Sequence, residues 1–443
     1  MRFGLIGEKL GHSYSKVIHE MLGEYEYELI PLEGSQIDNF LKERDFTGLN
    51  VTIPYKKTVM SYCDHVSELA EKLGAVNTLY FNENDELCGT NTDYHGFLKA
   101  SASAGIVYAG KRVLVLGDGG AGGMVRQAVR DSGAAEVIVA TRDPAKSAAR
   151  GEFTVISYEA LAAASSFSSS NGSDPLRIET IVNTTPVGMY PDTGHALVDI
   201  KDFPECEGVF DLIYNPALTA LLLQARKSGI AYENGLSMLV SQATEAAAYF
   251  TGRTGAAGGG NSGRYNDLSD RDHNILSALR MQMMNIVLIG MPGSGKSSVG
   301  RSLSEITGKK FVDMDDEIIK KAGMSIPEIF EKYGETYFRD LESEFSCRLG
   351  QGSSQIIATG GGVILREHNM DALSQNAYTV LLERPMEELE MDGRPLSKDI
   401  KTLEAMARER GPLYEKYSDF SAAVSKNGPQ DTAADIYSIL TAE

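Results

Sequence analysis

Cysteine is scarce in these 443 residues: Cys63, Cys88, Cys206 and Cys347 lie far apart, with no C-x-x-C spacing. That spacing argues against a zinc site or a disulfide framework and fits free thiols in a reducing cytoplasm. The seven histidines form no H-E-x-x-H or comparable cluster, so no structural metal is expected. No apolar run approaches the length of a membrane span. The N-terminal run in "MRFGLIGEKLGHS" is broken by Glu8 and Lys9, too short and too charged for a signal peptide. Positive charge is also in short supply: 42 Lys and Arg face 61 Asp and Glu, a net charge of −19. Nucleic-acid binding depends on neutralising phosphates, so such a partner is excluded; small anionic ligands are not, because local groups override the overall field.

The length suits two or three domains, and 42% hydrophobic with 23% charged residues is the balance of a soluble globular protein. A Gly-rich stretch without apolar periodicity, "TGRTGAAGGGNSGRYND" at 251–267, divides the chain. The linker is placed at 253–283, ending in a mildly helical, polar stretch. The first half alternates strand and helix patterns: "RFGLIG" and "YEYELIPL" read as strands, "SYSKVIHEMLG" and "IDNFLKER" as helices. The low-complexity run at 160–175 reads as a flexible surface loop.

At "KRVLVLGDGGAGGMVRQAV" an apolar strand, Arg112 to Leu116, runs into Gly117-x-Gly119-x-x-Gly122 and then a helical pattern. Glycines at that junction let the backbone approach a pyrophosphate seated on a helix N-terminus, the dinucleotide fingerprint. About 20 residues on, where an acidic residue would bind the ribose of NAD, stand Thr141 and Arg142, with Lys146 close behind. The two cations favour the 2′-phosphate of NADP; Asp143 between them pulls the other way, and a solvated strand-end charge is the alternative reading of Arg142. Upstream, "GHSYS", "GLNVTIPYKK", "AVNTL" and "GTNTDYHG" concentrate Asn50, Thr52, Lys56, Asn77, Thr92 and Asp93. Each could be a turn or cap residue; together they suit a polyhydroxylated ligand.

In their order, these stretches, with "NTTPVGM", "DLIYNP" and "NGLSMLVSQA", resemble the shikimate dehydrogenase family over residues 1–252. The resemblance implies a substrate-binding domain at 1–95, completed by 235–252, packed on a Rossmann NADP-binding domain at 96–234. It implies a catalytic pair, Lys56 and Asp93, and substrate contacts at Ser13, Ser15, Thr52, Asn77, Tyr214 and Gln242. NADP(H) would be held by Gly117, Gly119, Gly120, Ala121, Gly122, Thr141, Arg142, Lys146 and Gly235. The chemistry is coherent: hydride reaches a ring ketone while an ammonium beside a carboxylate serves the developing alkoxide. Three departures stand out. Lys16 replaces a common proline, "ATRDP" lacks the usual asparagine, and Asp118 takes the place of a small residue beside the expected pyrophosphate, so its carboxylate must point away or cost affinity.

After the linker, Gly290 to Ser297 fit G-x-x-x-x-G-K-S between an apolar strand and a helical pattern. This is a P-loop: backbone N–H groups cradle phosphates, Lys296 bridges β and γ oxygens, and Ser297 binds magnesium. Asp313 and Asp315, two apart at a strand end, are expected on one face. Gly360 to Gly362 offer bare backbone, and Arg339 and Arg410 are guanidinium forks suited to a carboxylate. Helix-start carboxylates, a turn and exposed charges are the structural alternatives.

Read in order, the set resembles shikimate kinase over about 284–443, a five-stranded parallel sheet with helices on both faces. The resemblance implies ATP contacts at Gly293, Ser294, Gly295, Lys296, Ser297, Ser298 and the lid residue Arg394. It implies Mg²⁺ at Ser297 and Asp313, Asp315 deprotonating the substrate's 3-hydroxyl, and shikimate bound by Asp315, Arg339, Gly360, Gly361, Gly362 and Arg410. "LERPMEELEMDGRPLS" shortens the lid, with Asp392 and Gly393 where basic residues are common. Together the halves imply a bifunctional enzyme: 3-dehydroshikimate is reduced to shikimate with NADPH, and shikimate is phosphorylated with ATP. The expected partners are these small molecules, with no nucleic acid and no membrane, and no oligomeric state is set. Two rivals are a quinate-preferring dehydrogenase fused to a small-polyol kinase, and a non-catalytic metabolite sensor. A sensor should have lost Lys56, Asp93, Lys296 or Asp315, and none is lost.

Overall fold

Three sheets carry the fold. The computed structural model describes residues 2–11, 13–148, 153–171, 176–253, 268–389 and 400–442. They fall into two compact units, Met1–Val187 with Ala196–Tyr214 and Gln224–Leu276, and Gly188–His195 with Asn215–Leu223 and Ser277–Glu443. Among the described residues no helix is long and apolar enough to cross a membrane.

The first sheet, ordered β2-β1-β3-β5-β6-β4, is built from β1 (Phe3–Gly7), β2 (Tyr27–Pro31), β3 (Gly48–Val51), β4 (His65–Val66), β5 (Thr78–Phe81) and β6 (Leu87–Thr90). Helices α1 (Ser15–Leu22), α2 (Ile37–Glu43), α3 (Glu68–Leu73) and α4 (Thr92–Ser103) accompany it. β3 is parallel to β1 and antiparallel to β5, which is antiparallel to β6. So β1, β3 and β6 run the same way, and their carboxyl ends open on one edge. The segments leaving those ends hold Lys9 to Gly11, Ser13 to Ser15, Thr52 to Lys56, and Thr92 with Asp93.

The second sheet is formed by β7 (Arg112–Leu116), β8 (Glu136–Thr141), β9 (Thr154–Ser157), β10 (Thr180–Asn183), β11 (Gly208–Asp211) and β12 (Ala231–Asn234). Its order, β12-β11-β10-β7-β8-β9, is all parallel. The direction of strand addition reverses between β7 and β10, which is where doubly wound sheets open a crevice for a ligand. "VLVL" in β7 is fully buried, as a strand covered on both faces must be. The helices between its strands are α5 (Gly120–Asp131), α6 (Pro144–Ala148), α7 (Tyr158–Asn171) and α8 (Ala220–Lys227); after β12 come α9 (Gly235–Phe250) and α10 (Asp270–Met283), which bonds to α9 and α1. α9 returns to pack on α4, where a Cβ on Gly96 would meet Met238 O at 2.9 Å.

Two expectations are corrected here. The run at 160–175, expected as a loop, is helical as far as Asn171 in α7, because its alanines are strong helix formers despite the low complexity. The linker expected at 253–283 is shortened by α10, whose first half belongs to the first unit. Thr244 Oγ1 donates to Asp272 at 2.6 Å, and Arg271 donates to Leu22 O at 2.6 Å and pairs with Glu24, which also takes Arg253. The buried side chains Leu268, Ile275 and Leu276 are spaced among charges, which hid the helix's apolar stripe.

The third sheet, ordered β14-β15-β13-β16-β17, is parallel throughout. Its strands are β13 (Asn285–Ile289), β14 (Lys310–Asp313), β15 (Gln355–Ala358), β16 (Ala377–Glu383) and β17 (Phe420–Ala423). Helices α11 (Lys296–Thr307), α12 (Met314–Ala322), α13 (Ile326–Gly350), α14 (Glu367–Ser374), α15 (Ile400–Tyr417) and α16 (Pro429–Ala442) complete it. Val287, Ile289, Ile357 and Leu381 pack with Phe338 and Phe345 of α13 on one side of the sheet. Ile286, Leu288, Ile356 and Val380 pack with Val299 of α11 and Ile436 of α16 in a second cluster.

Candidate active sites

At the carboxyl edge of the first sheet lies a cavity of about 430 Å³. All eight substrate residues expected from sequence line it: Ser13, Ser15, Thr52, Lys56, Asn77, Asp93, Tyr214 and Gln242. Lys56 Nζ donates to Asp93 Oδ2 at 2.6 Å, with both side chains partly buried. Asp93 stands in the first turn of α4, whose N-cap Asn91 accepts from Tyr94 N. The Asn77 amide is locked: Oδ1 accepts Thr92 N at 2.8 Å, and Nδ2 donates to Thr92 Oγ1 at 3.1 Å. Burial raises the Tyr214 phenol's pKa, so the hydroxyl stays a neutral donor. Asn50, Lys9 and Leu239 also line the cavity. Asn50 is oriented by the Tyr27 hydroxyl, 2.8 Å from its Oδ1. It stood among the small polar residues of the sequence; Lys9, in an exposed loop, carried no signal.

A second cavity, about 530 Å³, opens at the strand-order reversal of the second sheet, between the segments that leave β7, β8 and β10. Gly117, Gly119, Thr141, Arg142 and Lys146 line it, as expected, along with Asp118, Ser147, Tyr158 and Thr184 to Val187. Gly117 has φ +101°, and a Cβ on Gly122 would sit 2.6 Å from Gly117 O, so both positions require glycine. Gly120, Ala121 and Gly122 form the first turn of α5, behind the cavity's lining residues Gly117 to Gly119. Gly235 opens α9 outside the lining of this cavity, with its α-carbon against Leu212 O. The Asp118 carboxylate pairs with Arg126 and accepts from Ser147.

The third site lies at the carboxyl ends of β13, β14 and β15. Gly290, Gly293 and Gly295 have φ of +141°, +84° and +95°, which bends the P-loop into its cradle. Lys296, at the start of α11, is held back by Gly290 O and Met291 O, both at 2.9 Å. Ser297 Oγ donates to Asp313 Oδ2 at 2.5 Å. Ser294 is buried, its Oγ without a hydrogen-bond partner, and Ser298 is exposed. The expectation that Asp313 and Asp315 share one strand face is corrected. β14 ends at Asp313, which caps α12, and Asp315 lies in that helix's first turn. Arg394, with Asp392 and Gly393, lies outside the described residues.

The glycine run is packed on three sides. A Cβ on Gly360 would lie 2.9 Å from Glu342 Oε1 and 3.0 Å from Asp315 Oδ1, one on Gly361 would strike Pro292, and one on Gly362 would overlap the Arg339 guanidinium. Arg410 and Tyr414 both donate to Gly361 O, at 3.1 and 2.5 Å. The sequence reading missed Glu342, which is 0% exposed and accepts from Arg339 Nη1 at 2.9 Å. Its i+3 spacing from Arg339 was the available signal. Burial pushes its pKa up to about 7, against the pull of Arg339. Two buried polar atoms here, Glu342 Oε1 and Arg410 Nε, have no hydrogen-bond partner, as groups kept for a polar ligand would.

A reductase-type lysine–carboxylate site beside a dinucleotide crevice, joined to a P-loop phosphotransferase centre, defines a two-activity α/β enzyme. Residues 5–79 match the shikimate dehydrogenase substrate binding domain, and residues 292–441 match shikimate kinase. The shikimate dehydrogenase (NADP(+)) of Caldanaerobacter subterraneus subsp. tengcongensis is 37% identical over 258 residues, 56% of this chain and 91% of that protein. The enzyme of the same description from Clostridium perfringens is 35% identical over 260 residues, 56% of this chain and 92% of its own. A chorismate mutase/shikimate 5-dehydrogenase fusion protein from Clostridium acetobutylicum superposes with a TM-score of 0.53 at 37% identity, covering 62% of this chain and 96% of that one. The chain belongs to the shikimate dehydrogenase family and carries a shikimate kinase domain behind it: it is a bifunctional shikimate-pathway enzyme.

Proposed function

We propose that the first cavity binds 3-dehydroshikimate and that Lys56 and Asp93 carry its reduction to shikimate. The observation that carries this reading is the 2.6 Å Lys56–Asp93 pair, set in a cavity lined by hydroxyls and amides. The Lys56 ammonium delivers or stabilises the proton on the developing alkoxide, and Asp93, its 2.6 Å acceptor, keeps it aimed. Ser13, Ser15, Thr52, Asn77, Tyr214 and Gln242 present donors and acceptors to the ring hydroxyls and the carboxylate. NADPH supplies the hydride. The crevice suits it: a glycine loop that tolerates no Cβ at Gly117 or Gly122, a helix N-terminus, and Arg142 with Lys146 for a 2′-phosphate.

In the kinase domain, ATP supplies the phosphoryl group and the P-loop cradles its phosphates. Ser297 and Asp313, a hydroxyl and a carboxylate already 2.5 Å apart, are hard oxygen donors suited to Mg²⁺. Lys296 neutralises phosphate charge; Asp315 takes the proton of the attacking hydroxyl. Arg339 and Arg410 hold the shikimate carboxylate, with the Gly360–Gly362 backbone against the ring. Domain limits of 1–95 with 235–252, 96–234 and 284–443 go with this reading. Four free cysteines suit a cytoplasmic setting.

A coupled assay of the purified chain tests the whole. With 3-dehydroshikimate, NADPH and Mg·ATP, NADPH loss should precede ADP release, and added shikimate should release ADP without NADPH. Quinate preferred over shikimate, or either activity absent, would refute it.

A further inference from the structure

Asp118 lines the cofactor cavity, yet both of its carboxylate oxygens are engaged by the chain itself. Oδ1 accepts from Arg126 of α5, and Oδ2 accepts from the Ser147 hydroxyl of α6. The Asp118 and Arg126 side chains are only 7% and 10% exposed, and Ser147 is buried as well. The Arg126 guanidinium also lies over the Phe153 ring, 5.2 Å from its centroid.

α6 has only five residues; it carries Lys146 and follows Arg142. Its N-terminal bonds are local: Asp143 Oδ1 accepts Lys146 N at 3.2 Å, and Thr141 Oγ1 accepts Asp143 N at 3.4 Å. A helix this short holds no position by itself. The bond from Ser147 to Asp118 ties it to the glycine loop after β7.

We propose that Asp118 and Ser147 are a positioning pair for cofactor discrimination. They strap α6 to the glycine loop and so hold Arg142 and Lys146 where a ribose 2′-phosphate is reached. This deepens the NADP reading given above and rests on it. Arg126 neutralises the Asp118 charge at close range, so the carboxylate costs an incoming phosphate little. Loss of the strap frees two long cations whose charge-assisted bonds depend on geometry, and ordering them then weighs against binding. NADH, lacking that phosphate, depends on the strap far less.

The test uses the full chain and measures kcat/KM for NADPH and NADH with 3-dehydroshikimate, taking kinase activity on shikimate as the folding control. The variants are Ser147→Ala, Ser147→Thr, Asp118→Ala and Arg142→Leu. The strap itself is one hydrogen bond, so Ser147→Ala and Asp118→Ala should each lower the NADPH:NADH ratio about 3- to 10-fold, mainly through the KM for NADPH. Ser147→Thr, which keeps the hydroxyl, should restore it. Asp118→Ala takes its carboxylate partner from the buried Arg126 and so carries a folding cost of its own; Ser147→Ala removes only a neutral group and keeps the question answerable. If both variants leave the ratio within about twofold while Arg142→Leu lowers it, the strap is refuted. A higher ratio in Asp118→Ala would show a repelling charge instead, and also refutes it. No response from any variant, Arg142→Leu included, removes the NADP reading and the proposal together. A fall with Ser147→Ala but not Arg142→Leu supports the strap and moves the phosphate contact to Lys146.

Discussion

Asp313 accepts the backbone N–H of Asp315 at 3.0 Å with one oxygen and the Ser297 hydroxyl at 2.5 Å with the other. One carboxylate therefore joins the P-loop to the helix turn that presents the expected catalytic base. Asp313→Asn keeps the cap and loses the charge, so it should raise the Mg²⁺ concentration needed for half-maximal kinase activity with little loss of stability. Asp313→Ala should also cost about 1 kcal/mol through the lost cap. Magnesium titrations and urea melts separate the two; an unaltered magnesium requirement in both variants would remove Asp313 from the metal site.

The two activities should part cleanly. Lys56→Ala should abolish ketone reduction and leave shikimate phosphorylation intact, while Lys296→Ala should do the reverse. Loss of both activities from either change in folded protein contradicts separate sites.

Arg410 is 6% exposed and faces the glycine run with Nε unsatisfied. Arg410→Leu would take one of its two guanidinium partners from a bound carboxylate, at about 1.5–3 kcal/mol. Steady-state kinetics should show the KM for shikimate rising far more than that for ATP. Comparable losses for both substrates would assign Arg410 to the nucleotide.

Two buried groups give opposite pH slopes. Burial lowers the His19 pKa from 6.5 to about 3, so the unfolded chain binds a proton there that the folded chain refuses. The stability this confers is full above 6.5 and is lost as pH falls toward 3, by at most about 1.4 kcal/mol per unit. Glu342 is raised from 4.5 to about 7, so the folded state holds the extra proton and stability declines as pH climbs between those values. Urea unfolding across pH should show both slopes, and Glu342→Gln should flatten the second. A second slope that persists in Glu342→Gln would have another source.

A dehydrogenase fragment ending at Arg253 should melt well below one ending at Met283. It loses the Thr244–Asp272 bond, the Arg271–Glu24 pair and the burial of Leu268, Ile275 and Leu276. Fully buried aliphatic side chains contribute about 1.5–3 kcal/mol each. Equal melting temperatures would restore α10 to the linker.

Much of the chemistry was written locally. A glycine pattern between strand and helix announces a phosphate cradle because φ above zero and close backbone approach leave few other residues possible. Gly117, Gly122, Gly290, Gly293 and Gly295 were legible for that reason. Ordered polar motifs such as "NVTIPYK" and "NTD" likewise marked Lys56 and Asp93, 37 residues apart. What sequence could not supply was anything set by through-space neighbours. Asp118 looked like a liability until the fold brought Arg126 and Ser147 to its two oxygens. Glu342 carried no sequence signal beyond its spacing from Arg339; burial and the nearby Asp315 carboxylate set its charge state. Asp313 and Asp315 had the right spacing for a strand face, but the strand ended between them, since a carboxylate can cap the next helix as readily as extend a strand. Local periodicity and backbone constraint determine which elements form and where phosphate can lie. Charge state, orientation and partnership depend on side chains that only the packed sheets bring together.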